Sequence, residues 1–309
     1  MWKLLPDASS SAWETDGLLA GLTLVTGAVL LLVFWLMLVY AIRYRDDSPI
    51  DRGKIAEKTF RFEISWTIAT LVIFFGLFVW GADLYARLSI PPKDADQIFV
   101  VAKQWMWKVE HPGGQKEINA LHVPVNTPIE LVMTSEDVIH DFFVPAFRIK
   151  RDVLPGQYET MWFTAELPGT YHLFCAQFCG TDHAAMIGQV VVQTQSDFAN
   201  WLAQNGTSGT LAQQGAPLFI RYGCSGCHSG NGTVRAPSLA GLYGSPVPLS
   251  DGSVTTADDR YLRDAILQPK RQVVAGFDPV MPSFAGVIPE EDLIRLIAFI
   301  QSLSPERPR

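Results

Sequence analysis

At 309 residues the chain is long enough for two ordinary domains and further segments. Hydrophobic residues make up 48% and mean hydropathy is +0.16, high for a wholly soluble protein, with the excess concentrated in the first 85 residues. The net charge of −7, without a basic patch or a phosphate-cradling glycine loop, argues against nucleic acid as a partner.

In chain order, residues 1–17 form a short N-terminal segment, and residues 18–42 carry no charge. Those 25 residues span about 37 Å as a helix, enough to cross a hydrocarbon core of about 30 Å with some tilt. The run is too long for the apolar core of a signal peptide, and only Lys3 stands in front of it. A second uncharged run, Ile64 to Ala82, sits within a predicted helix over 62–85 that ends at Ile90-Pro91-Pro92. The loop at 43–61 holds Arg43, Arg45, Arg52, Lys54, Lys58 and Arg61, so the positive-inside rule puts it in the cytoplasm. Both termini, and everything after the second helix, are then expected on the outer face.

From 97 to 195 the pattern turns to short β-runs, among them Ile98-Phe-Val-Val101, Ile129 to Met133, Glu159 to Phe163, Thr170 to Phe174 and Gln189 to Val192. Turn signals such as His111-Pro-Gly-Gly114 and Leu167-Pro-Gly169 separate them, which predicts a β-sandwich. Residues 196–209 end in Gln204-Asn-Gly-Thr-Ser-Gly209 and read as a linker. Residues 210–309 read as mostly helical, with a closing helix opened by Pro289-Glu-Glu-Asp292 and carrying Leu293, Leu296, Ile297, Ile300 and Leu303 on one face.

The four cysteines fall into two pairs, each with metal-ligand company. Cys175, Cys179, His183 and Met186 lie on one loop after a strand. Thiolate, imidazole and thioether together suit a soft electron-transfer metal. A further imidazole has to come from upstream, and His140 is the best placed. A Cys2His2 zinc site leaves Met186 without a role, and a disulfide with an incidental histidine is the other alternative. His111 reads as a surface residue beside its turn, His122 as structural, and His172 falls on the strand face away from Cys175.

The second pair belongs to Cys224-Ser225-Gly226-Cys227-His228, the C-x-x-C-H pattern of c-type haem attachment with His228 as proximal ligand. His228 is the only histidine after His183, and Met281 the only methionine after Met186. Elimination therefore points to a His/Met-ligated haem c, the alternative being an open haem site for gas or peroxide with Met281 merely packed.

On these motifs residues 1–195 resemble subunit II of the haem-copper cytochrome c oxidases. The membrane hairpin, Gln104-Trp105-Met106-Trp107, Ile149 to Gly156 and the cysteine loop carry the likeness. Ala236-Pro237 to Tyr243 and Met281-Pro282 resemble class I cytochromes c, in which the matching proline orients the proximal histidine. The resemblance implies a two-helix membrane hairpin, an all-β cupredoxin-like sandwich and an all-α class I cytochrome c domain, as in caa3-type enzymes. It implies a dinuclear copper centre, CuA, with Cys175 and Cys179 bridging, His140 and Met186 completing one copper, and His183 and the Gln177 carbonyl the other. Trp105 matches the tryptophan through which electrons reach CuA, and Glu63 an acid near the mouth of a proton channel in subunit I, a position that a plain interfacial glutamate fills equally well. Where the family has Glu, this chain has Gln177, which weakens the Mg2+ or Mn2+ site expected at the subunit I interface.

The implied function is electron transfer from haem c through CuA to haem a of subunit I, for oxygen reduction coupled to proton translocation. The implied partners are subunits I and III, membrane lipid, and a donor that is a cytochrome c or an upstream respiratory complex. The implied location is a bacterial inner membrane. The competing expectations are the corresponding subunit of a CuA-containing nitric oxide reductase and a membrane-anchored electron carrier without a catalytic partner.

Overall fold

A computed structural model describes residues 6–50, 59–206, 209–228 and 236–305. The loop cations Arg52, Lys54 and Lys58 lie outside the described residues, as does Lys3. The chain divides into two units: Ser11–Ile90, and the remainder.

The first unit is a pair of helices, α1 (Ala12–Arg43) and α2 (Thr59–Ser89). Each contains its expected apolar span and extends past it by several residues, and α2 stops immediately before Ile90-Pro91-Pro92. Both are long and apolar enough to cross a membrane, and none of the apolar stretch is buried by protein. Leu24 and Leu31 are more than 70% exposed, as suits helices whose sides are covered by lipid or by a partner chain. Where the helices meet, a Cβ on Gly21 would stand 3.2 Å from the Trp80 ring, so the small residue lets the indole close in. Near the start of α1, Glu14 takes Arg87 of α2 in a two-pronged salt bridge.

In the second unit, two five-stranded sheets pack face to face. One runs β3-β2-β1-β5-β8, built from β1 (Asp96–Lys103), β2 (Met106–Glu110), β3 (Lys116–Ile118), β5 (Pro128–Ser135) and β8 (Glu159–Thr164). The other runs β4-β10-β9-β6-β7, built from β4 (Ala120–Pro124), β6 (His140–Val144), β7 (Ile149–Val153), β9 (Gly169–Cys175) and β10 (Ile187–Gln193). Trp107, Phe142, Phe147, Phe163, Leu131 and Leu173 fill the space between them. The fold is the predicted sandwich, with five strands beyond the five runs read from the sequence.

Residues preceding α1 are tied to this sandwich. Ala8 N–H donates to Ala146, Ser9 Oγ to the Phe147 carbonyl (2.8 Å), and Ser10 N–H to Thr164. The segment before α1 and the chain after α2 therefore belong to one unit.

Two expectations need correction. The segment 196–209 is not simply a linker: Gln195–Gln204 forms helix α3, started by the Thr194 side chain accepting from Asp197 N–H. Trp201 on α3 stacks on His122 at 4.5 Å, so indole burial holds the segment to the sandwich. His111 is not a surface residue but 2% exposed. Its Nε2 donates to Glu117 (2.8 Å), while the His122 ring and amide donate to the same carboxylate.

The C-terminal residues form α4 (Leu211–Arg221), α5 (Ser225–His228), α6 (Asp259–Leu267) and α7 (Glu290–Ser302). A small ribbon, β11 (Pro246–Pro248) with β12 (Val254–Thr256), adds to the expected all-α domain. Thr210 and Gln213 form a reciprocal cap at the start of α4. At the α4–α7 crossing a Cβ on Gly215 would lie 2.0 Å from the Arg295 carbonyl oxygen, so only glycine permits this approach. Leu293, Leu296, Ile297 and Ile300 of α7 are buried as predicted, while Leu303 falls just past the helix and is 38% exposed.

Burial opposes ionisation of Glu117, but its hydrogen bonds from His111 and His122 outweigh this and hold its pKa at about 2, below the ordinary 4.5. In the unfolded chain it protonates near 4.5, so its contribution is complete above that pH and lost as pH falls towards 2. The shift corresponds to about 3 kcal/mol. Thermal unfolding of the purified chain should show Glu117→Gln less stable than wild type at pH 7, with the gap shrinking between pH 4.5 and 2.

Candidate metal centres

The sheet register assembles the first centre. Phe142 on β6 pairs with Cys175 at the end of β9. His140, two residues earlier, points to the same side as Phe142 and so stands beside Cys175. After Cys175 the chain loops through Gly180, whose φ of +119° favours glycine, into a 3-10 turn at His183–Ala185. A three-residue step in such a turn returns to the same side. This brings His183 and Met186 to face the cysteines together.

All six sequence-predicted donors converge here. Cys175 Sγ lies 3.7 Å from Cys179 Sγ, 3.9 Å from His140 Nδ1 and 3.2 Å from the Gln177 carbonyl oxygen. Cys179 Sγ lies 3.4 Å from His183 Nδ1 and 3.9 Å from Met186 Sδ. His140, Cys175, Cys179 and Met186 are buried. The sulfur separation far exceeds a disulfide's roughly 2.05 Å, and both thiols are free. The two sulfurs therefore stand side by side as separate thiols.

Burial disfavours both thiolates. At Cys175 the His140 ring more than offsets this and draws the thiol below its ordinary value, whereas at Cys179 burial and the adjoining Cys175 sulfur both keep the proton on. One thiolate forms readily and the second awaits positive charge, which is what a soft cation supplies on binding. The donor set of two thiolates, two imidazoles, a thioether and a carbonyl fits copper.

One residue here escaped the sequence reading. Asp137 accepts from His140 Nε2 (2.8 Å), and also from the backbone amides of Gln104 and Val138 (2.7 Å each). It fixes the imidazole so that Nδ1 faces the thiols. An acid three residues before the histidine was its only trace in the sequence.

Trp105 and Trp107 part company. Trp107 is fully buried, edge-on to Phe142 at 5.2 Å and to His140 at 6.1 Å, and is packing. Trp105 is half-buried and donates Nε1–H to the Cys179 carbonyl (3.2 Å), beside Gln104 Nε2 donating to the same oxygen (2.8 Å). His172 is exposed and takes no part in the cysteine cluster. Glu63 has an exposed side chain on α2, in the other unit.

The second centre lies in the helical domain. Cys224, His228 and Met281 line one cavity walled by Phe219, Leu239, Tyr261, Leu262, Leu296 and Ile300, an apolar setting suited to a porphyrin. His228 Nδ1 donates to the Pro237 carbonyl (3.0 Å), leaving Nε2 for a metal, as the likeness to class I cytochromes c implies. Cys227 follows one helical turn after Cys224, and both thiols are free.

Residues 113–194 match the family described as cytochrome c oxidase subunit II, periplasmic domain, and residues 212–304 match cytochrome c. The chain thus carries a periplasmic domain of the cytochrome c oxidase subunit II kind, and its relatives are named cytochrome c oxidase subunit 2. Behind the subunit II domain it carries a fused cytochrome c domain. Cytochrome c oxidase subunit 2 of Alkalihalophilus pseudofirmus is 27% identical over 315 residues, covering 96% of this chain and 89% of the relative. The heme-copper oxidase subunit 2 of Aeropyrum pernix is 37% identical over 138 residues, 42% of this chain and 59% of that one. A crystal structure of the periplasmic domain of subunit II from Bradyrhizobium japonicum is 32% identical, covering 38% of this chain and 96% of that one, with a TM-score of 0.36. The subunit II domain implies copper at the cysteine loop, and the cytochrome c domain implies haem c in the helical cavity.

Asp137→Asn keeps the side chain's shape and removes the charge that orients His140. Copper affinity should fall by about 10–100-fold, read as copper retained per chain after dialysis against a graded chelator. Retention equal to wild type would deny Asp137 that role.

Proposed function

We propose that this chain is subunit II of a caa3-type cytochrome c oxidase. It receives electrons at a covalently bound haem c and delivers them through a dinuclear CuA centre to haem a of subunit I, where oxygen is reduced to water with proton translocation. The observation that carries this reading is the convergence of His140, Cys175, Gln177, Cys179, His183 and Met186 on one buried pocket, in a chain that also presents His228 and Met281 to one apolar cavity.

The pairing of donors supports two coppers: His140 stands at one thiol and His183 at the other. Copper shared between two thiolates supplies a one-electron couple with little change of geometry. Around it, Asp137 holds the His140 ring, Met186 would complete the donor set with its thioether, and Trp105 links the thiolate loop to the surface as the point where electrons arrive at the copper. Cys224 and Cys227 tether the porphyrin. His228, oriented by Pro237, and Met281 would hold its iron from within the cavity they line, and a thioether ligand would raise its potential.

Gln177 contributes its backbone carbonyl, and its neutral side chain leaves a Mg2+ or Mn2+ at the subunit I boundary without the expected carboxylate. Glu63 serves at the mouth of a proton channel in subunit I, with subunit III as a further partner. The two apolar helices anchor the chain in a bacterial inner membrane, the sandwich and haem domain lying outside.

Cys175→Ser should abolish the near-infrared absorption of the mixed-valence copper pair, and a variant still holding two coppers would contradict bridging. Met281→Leu should lower the haem potential and remove the weak methionine–iron absorption at the red end of the spectrum; an unchanged spectrum would dismiss Met281 as ligand. Oxygen turnover by the purified complex, against nitric oxide turnover, separates the oxidase from a reductase.

A further inference from the structure

The turn between β1 and β2 consists of Gln104 and Trp105, and Gln104 holds the copper pocket at two points. Its backbone N–H donates to Asp137 Oδ2 (2.7 Å), while Asp137 Oδ1 takes the Nε2–H of His140 (2.8 Å). Its side-chain Nε2–H donates to the Cys179 carbonyl (2.8 Å), where the Trp105 indole is the second donor (3.2 Å). His140 stands at the Cys175 thiol, and Cys179 carries the neighbouring one. One residue thus reaches donors on either side of the sulfur pair, His140 through a carboxylate and Cys179 through its own carbonyl.

The sheet ladders do not supply this connection. β1 and β2 lie in one sheet, whereas β6 and β9, which bring His140 to Cys175, lie in the other. The cysteine loop is shaped to receive the turn at Gly180. A Cβ there would stand 2.9 Å from Gln104 Nε2 and 3.2 Å from the Trp105 ring, at a φ of +119° that favours glycine. Gln104 is otherwise exposed, so its side chain gives up rotamer freedom to make this bond rather than remain in water.

Two N–H groups aimed at one carbonyl place two positive dipole ends beside a thiol-bearing residue. Hydrogen bonds outside the donor set tune both the affinity and the potential of a metal. Positive dipole ends favour the electron-rich, reduced state, so the loss of one favours the oxidised state.

We propose that Gln104 is a positioning residue of the copper pocket. It fixes Cys179 and His140 in one frame and, through the Cys179 carbonyl, shifts the reduction equilibrium of the centre towards the reduced state. This deepens the proposed function and rests on it for the presence of copper; the hydrogen bonds themselves do not need it.

The copper-loaded complex, equilibrated with a one-electron mediator, provides the first test. Gln104→Met keeps the length and loses the N–H, and should lower the equilibrium constant for reduction by about threefold or more. Gln104→Lys keeps a donor on a slightly longer arm, and should stand at or above wild type. Electron paramagnetic resonance of the oxidised centre should follow the same order. Wild type and Gln104→Lys should show hyperfine structure from an electron shared evenly by two coppers, and Gln104→Met an uneven pattern. A glutamine with only a structural role would weaken copper retention in both variants and leave the reduction equilibrium unmoved. That result, or a Gln104→Met equilibrium equal to wild type, overturns the proposal.

Hydrogen exchange of the metal-free, full-length chain is the second test. Peptides covering 103–107 and 177–181 should exchange more slowly in wild type than in Gln104→Met, and equal exchange overturns the proposal. A pocket that takes zinc but no copper, with that difference in exchange intact, would count against the proposed function while upholding the positioning.

Discussion

A strand buried on both faces organises the extramembrane part of this protein. The inward side chains of β1 pack in the sandwich, and the outward ones pack beneath the haem domain. A sandwich strand ordinarily shows one face to water, where alternate positions are polar. In β1 the alternation is abolished, and the apolar surface that water would have met becomes the seam. The β1–β2 hairpin that carries Trp105 is thereby stiffened from the side opposite the copper pocket.

The copper pocket depends on the other sheet. Its donors come from two places more than thirty residues apart, and only the pairing of Phe142 with Cys175 makes them neighbours. The cysteine loop is itself local: a glycine at positive φ and one 3-10 turn suffice to aim His183 and Met186 back at the thiols. Asp137 then connects the two sheets, since it holds His140 on β6 and also receives the amide of Gln104 at the β1–β2 turn. The metal donors and the half-buried indole are thus set by one carboxylate and one carbonyl, that of Cys179.

Much of this was legible beforehand because it is local. The helical spans follow from unbroken apolar runs, and the C-x-x-C-H motif and the cysteine loop from ligand spacing within a few residues. The continuous Ile98-Phe-Val-Val101 run already departed from strict alternation, as a doubly covered strand requires. What escaped was non-local or polar. His111 looked like a turn residue, but Glu117 and α3 bury it, and no spacing rule announces two histidines sharing one carboxylate. Residues 195–204 read as linker from their polar composition, whereas Trp201 finds a stacking partner in His122, about eighty residues away.

By itself the sequence determined the chemistry: two thiol pairs, their histidines and methionines, and two spans of lipid-soluble helix, because ligand spacing, charge and apolar length are properties of short stretches. The tertiary structure decided which of those groups meet. His140 reaches Cys175 through strand pairing, Asp137 orients it, Pro237 turns His228, and the haem domain settles on β1. The pairing of His140 with Cys175 and the seat of the haem domain on β1 join segments distant along the chain, and such contacts are fixed by packing and burial, which no local pattern encodes.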